Sequence, residues 1–66
     1  MRAYQALLAR PENLAKVQAK RRAVEAVGGK IEIAPPTSTG MIMVVLWLPP
    51  QHQPSDFSPD LPFYPF

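Results

Sequence analysis

The sequence predicts a small α+β module of element order (β)αββ, followed by an irregular proline-rich tail. Three observations predict it. A helical pattern from Pro11 to Val27 ends on the glycine pair Gly28–Gly29. Two strand patterns follow, Lys30–Ala34 and Met41–Leu48, separated by the turn-forming run Pro35–Gly40. Beyond Leu48, prolines at 49, 50, 54, 59, 62 and 65 exclude a long regular element, because each fixes φ and removes a backbone donor.

Met1–Arg10 fits two patterns. Its Ala, Leu, Gln and Arg content favours a helix, while Tyr4, Ala6 and Leu8 alternate as one face of a strand would. Pro11–Val27 reads as a helix: Pro11 suits the first turn, and Glu12 faces the positive end of the helix dipole. Leu14, Val17, Val24 and Val27 recur at helical spacing with alanines beside them. Arg21 falls on that apolar stripe and is expected to snorkel from its edge. Gly28 and Gly29 supply the left-handed conformation that ends helices. In Lys30–Ala34 the residues Ile31 and Ile33 point inward, between outward Lys30 and Glu32, as in a half-buried strand. Met41–Leu48 is apolar on both faces, as a central strand is.

From the helix to the second strand the chain resembles the first part of a GYD-type domain, a small ferredoxin-like family. The residues that carry the likeness are "PENLAKVQAKRRAVEAV", "GGKIEI" and "MIMVVLWLP", from about Pro11 to Pro49. The likeness implies a ferredoxin-like half unit, and with it a strand over Met1–Arg10. The family's Gly-Tyr-Asp signature is absent, its place taken by Thr39, Gly40, Met41 and Ile42. The family's second helix and last strand are also expected to be missing, replaced by the tail. The likeness therefore implies a fold and transfers no site residue.

Composition narrows the function. Sixty-six residues allow one domain and a small core. There is no cysteine and one histidine, which excludes a disulfide staple and the common structural zinc sites. The missing stabilisation is expected from self-association or from docking on another protein. Residues 1–48 carry seven basic and three acidic side chains, +4, whereas residues 49–66 carry two acidic and no basic ones, −2. This shift divides the chain into a 1–50 module and a 51–66 tail. The longest apolar run, Met41–Leu48, is too short for a membrane helix. With no secretion signal, a cytoplasmic location is expected.

Candidate sites follow from these segments. Trp47 and the tail's Phe57, Leu61, Phe63, Tyr64 and Phe66 are the candidate partner-binding residues, since aromatic anchors on a stiffened backbone lose little entropy on docking. Such a tail equally suits an internal wrap over its own sheet. Lys16, Lys20, Arg21 and Arg22 form the basic cluster, which reads chiefly as a solvated helix face. His52, Asp56 and Asp60 lack a scaffold that would make them catalytic. No catalytic residue, metal site or cofactor is assigned, and the sequence favours no enzymatic activity. The expected function is a non-enzymatic interaction or assembly module that self-associates through its sheet and docks its aromatic tail. The partner is a protein or a second copy, with neither nucleic acid nor membrane expected. Two alternatives stand beside it: a small-ligand-binding, cofactor-free dimer, and a nucleic-acid accessory protein using the basic helix.

Overall fold

A computed structural model describes residues 1–65; Phe66, one of the candidate anchors, lies outside the described residues. The chain forms an α+β domain around one four-stranded antiparallel sheet. Its elements are β1 (Arg2–Leu8), α1 (Pro11–Ala19), α2 (Arg21–Ala26), β2 (Lys30–Ile33), β3 (Ile42–Leu48), a single 3-10 turn (Pro54–Asp56) and β4 (Tyr64–Pro65). The strand order is β2-β3-β1-β4. β1 and β2 both run antiparallel to β3, so the helical segment crosses over β3 to join two strands that never touch.

Met1–Arg10 resolves as a strand. Helix propensity here amounts to tenths of a kcal/mol per residue. Against it stands a ladder of seven residue pairs with β3, from Arg2↔Leu48 to Leu8↔Ile42. β3 is central, as its two-faced apolar pattern implies, and β2 lies at one edge of the sheet.

The helical stretch is not continuous. It breaks at Lys20, where φ is −95° and ψ is 0°. Just beyond the break, Arg21 is half-buried and its Nη1 donates to the Ile31 carbonyl at 3.2 Å. The snorkelling arginine thus spans from helix to edge strand. Val17 and Val24, on either side of the break, both enter the core. α2 then closes with two backbone bonds, Gly28 N–H to Glu25 O at 3.0 Å and Gly29 N–H to Val24 O at 2.9 Å. This is a Schellman cap, and Gly28 takes its left-handed position at φ +84°. Gly29 serves differently. A Cβ there would lie 2.6 Å from the Trp47 carbonyl oxygen and 2.7 Å from Val24 Cγ1. Its missing side chain lets the chain enter β2 while touching β3.

The core lies between the helices and one face of the sheet. Ala6 and Leu8 from β1, Ile31 from β2, and Val44, Leu46 and Leu48 from β3 meet Val17 and Val24. Strand alternation puts their neighbours on the opposite face.

The tail is ordered by local bonds. Asp56 Oδ2 accepts from Gln53 N–H at 2.9 Å, Ser58 N–H donates to Pro54 O at 2.8 Å, and Phe63 N–H donates to Leu61 O at 3.0 Å. Phe57, Leu61 and Phe63 pack against the core, so the tail covers the helix side of the sheet beside α1. The expectation that no last strand follows is corrected here. Tyr64 and Pro65 pair with Gln5 and Tyr4, and the tail ends as β4 on the free edge of β1. Pro65 is tolerated because an edge strand needs donors on one side only. The Cα radius of gyration, 11.1 Å, matches the roughly 11 Å of a compact chain of this length, in keeping with a folded-back tail.

These contacts rank three substitutions. Gly29→Ala is expected to cost about 2 kcal/mol, because two close neighbours must yield. Gly28→Ala is expected to cost about 1 kcal/mol for a left-handed alanine. Lys20→Ala, at an exposed position, should stay within about 0.5 kcal/mol. Urea melts of the three variants check the order; a Gly29→Ala protein as stable as Lys20→Ala would contradict the close approach at β3.

Candidate functional site

The two faces of the sheet differ in cover. Helices and tail occupy one. The other carries Ala3, Gln5 and Leu7 from β1, Met43, Val45 and Trp47 from β3, Lys30 and Glu32 from β2, and Tyr64 from β4, aligned by the ladder registers. No described element lies across these residues. Leu7 is 52% exposed and Tyr64 64%, and the two meet across the Gln5 pairing at one edge of this face. Ala3, Gln5, Met43, Val45 and Trp47 are half-buried by one another.

Charge on this face cancels. Lys30 Nζ and Glu32 Oε1 pair at 3.0 Å along β2. Lys30 is the one cationic side chain among the described residues of this face, so the face is neutral while the whole chain carries +2.

Trp47 stands at one corner, between Ala3 and Lys30. Its indole N–H is buried and, among the described residues, is the one buried side-chain polar atom with no hydrogen-bond partner. Buried indole N–H groups normally find an acceptor. The chain leaves this one unmet. A cleft of 230 Å³ opens at the opposite edge, lined by Gln5, Ala6, Leu7, Pro62 and Tyr64.

The predicted aromatic anchors therefore separate into two groups. Trp47 and Tyr64 lie on the uncovered face. Phe57, Leu61 and Phe63 pack into the domain itself, on the other side. The structure gathers onto the uncovered face several residues not singled out from the sequence: Ala3, Gln5, Leu7 and Val45. The alternation of β1 was the available signal for three of them. It became usable only once β1 was known to be a strand.

The basic cluster is split. Arg21 is held by the Ile31 carbonyl. Lys16 Nζ lies 3.2 Å from Asp60 Oδ2, tying α1 to the tail. Lys20 and Arg22 remain exposed, and among the described residues no carboxylate pairs with either. Lys16, with the Asp60 backbone N–H, holds the Asp60 carboxyl below its ordinary value. His52 Nδ1 lies 3.6 Å from Asp56 Oδ2, and the His52 ring tilts against Phe57 at 5.8 Å between centroids. Among the described residues no three His, Cys, Asp or Glu side chains come together as a metal site would need, and no helix is long and apolar enough to cross a membrane.

Fold and surface thus define a one-sided α+β sheet domain with an uncovered, neutral, largely apolar face. Compared with family models, with curated proteins and with solved structures, the chain matches none of them.

Two tests address the tail. Phe57→Ala and Phe63→Ala should each lower stability by about 2 kcal/mol, as expected for half-buried rings, whereas Gln51→Ala, at an exposed position, should change it by less than about 0.5 kcal/mol. Urea melts distinguish these outcomes. The second test concerns acid. The folded-state value of Asp60 is depressed, so its contribution is fully present above the ordinary carboxylate range. That contribution fades as pH falls through the lowered folded value. Asp60→Asn should remove this part of the acid dependence, read from melts between pH 2 and pH 6.

Proposed function

We propose that the chain is an assembly module whose partner is a second copy of itself, joined through the uncovered sheet face. One observation carries the reading: both long strands present apolar side chains on a face that no other described element of the chain covers. Monomeric proteins seldom expose such a contiguous patch. A domain of this size also gains proportionately more from added burial than a large one does.

Charge favours a copy of the same chain. A two-fold interface brings a surface against itself, so that surface must be self-complementary. A face with net charge would repel its mate. This face carries one Lys and one Glu side by side, so its charges cancel. Its neutrality argues against a polyanion as partner, since Lys and Arg supply the sequence-independent part of nucleic-acid affinity. The unmet indole N–H of Trp47 supports the same reading, because a small rearrangement on association would offer it an acceptor.

In fold terms we read the domain as a ferredoxin-like unit in which the tail stands in for the second helix. The strand order, read from the other edge as β4-β1-β3-β2, with a helical crossover between β1 and β2, supports this. So does the placement of Phe57, Leu61 and Phe63 beside α1. The tail is then part of the domain's own wall, and Tyr64 is its contribution to the interface.

Sedimentation equilibrium at micromolar concentration tests the assembly. The wild-type chain is expected to be a dimer. Leu7→Lys alters an exposed side chain and leaves the core intact, so it should yield a folded monomer. Trp47 fluorescence should shift to the red on dilution as the interface opens. A folded wild-type monomer across the micromolar range would refute the proposal.

A further inference from the structure

The uncovered face contains one uncharged amide, Gln5, and its position is specific. It is the middle residue of β1 (Arg2–Leu8) and pairs with Val45, the middle residue of β3 (Ile42–Leu48). On its other side it pairs with Tyr64 of β4. Gln5 and Val45 are thus the centre of the patch. Gln5 is half-buried, and among the described residues its side chain makes no hydrogen bond. Its amide, ringed by Ala3, Leu7, Val45 and Tyr64, still reaches water, since the one buried unpartnered side-chain polar atom among the described residues is Trp47 Nε1; covering Gln5 without a matching group would leave it unsatisfied.

We infer that Gln5 lies at the two-fold axis of the dimer and pairs there with Gln5 of the second copy. This rests on the self-association proposed above and adds to it the register of the two sheets. The geometry is general. Two identical patches overlap most fully when the axis passes through the patch centre, and a residue on the axis meets itself. Few polar side chains can do so favourably. Two carboxylates or two ammonium groups repel, whereas an amide carries a donor and an acceptor and satisfies its own copy. Gln5 thereby stays hydrogen-bonded as it leaves water, while the apolar residues around it exclude solvent. Any slipped register would leave two amides facing Leu7, Met43 or Trp47, unpaired and dry. A lone polar residue in an apolar interface can fix register in this way.

The absence of cysteine makes the test direct. Single cysteines are introduced as Ala3→Cys, Gln5→Cys and Leu7→Cys, and each protein is exposed to a short bismaleimide after its mass in solution is measured. Gln5→Cys should link readily to its own copy, and neither Ala3→Cys nor Leu7→Cys should link faster. In parallel, Gln5→Glu should raise the dimer dissociation constant at least tenfold at pH 7, and Gln5→Asn should do so far less. If the wild-type chain is a dimer but Ala3→Cys or Leu7→Cys links faster than Gln5→Cys, the axis lies elsewhere and the inference is overturned. A dimeric wild type with an equally tight Gln5→Glu dimer overturns it as well. A wild-type monomer refutes the underlying self-association, which is a separate result.

Discussion

The structure turns on one constraint. β1 and β3 form a seven-pair ladder with apolar side chains on both of its faces, and among the described residues the helices and the tail cover only one. The helices and the tail are spent on the face that carries Ala6, Leu8, Val44, Leu46 and Leu48. The helix break at Lys20, the glycine pair and the proline-rich return all serve to bring Val17, Val24, Phe57, Leu61 and Phe63 onto that one side. The opposite face keeps its apolar character, and no described element lies above it. Its neutral Lys30–Glu32 pair and its central amide are the features left to say what belongs there.

Much of this was legible in the sequence where local chemistry acts alone. The glycines at 28 and 29 end the helix because no other residue meets both demands made there, a positive φ at one and a close backbone approach at the other. β2 and β3 were readable because alternation in one and two-sided apolarity in the other match an edge and a centre. β1 was not readable from its own residues, whose intrinsic preferences favour a helix. It is a strand because its partner lies forty residues away, and no local pattern carries that information. β4 was hidden for a similar reason: two residues, one of them proline, make a strand only because β1 has a free edge beside them.

The candidate site was legible in part. Trp47 and Tyr64 do lie on the uncovered face, but Phe57, Leu61 and Phe63 look alike in sequence and face the core. Proline content indicates that a tail is stiff, not which way it turns. The turns that aim it depend on bonds such as Gln53 N–H to Asp56 Oδ2, invisible until the carboxylate is placed. Arg21 shows the opposite case. Its position on the apolar stripe announced an unusual side chain, and the structure supplies the Ile31 carbonyl as the reason.

The sheet order also has a consequence in time. β1 is made well before β3, yet the two lie side by side in the sheet, and the pairing runs to Leu48. Until a growing chain has reached Leu48, β1 has no full ladder to join and must wait. Closing so long a loop costs entropy before any pairing repays it, which slows the first productive collision. During that wait Tyr4, Ala6, Leu7 and Leu8 have no partner strand, in a segment whose residues favour a helix. A transient helix there would keep these side chains out of mismatched sheets until β3 arrives.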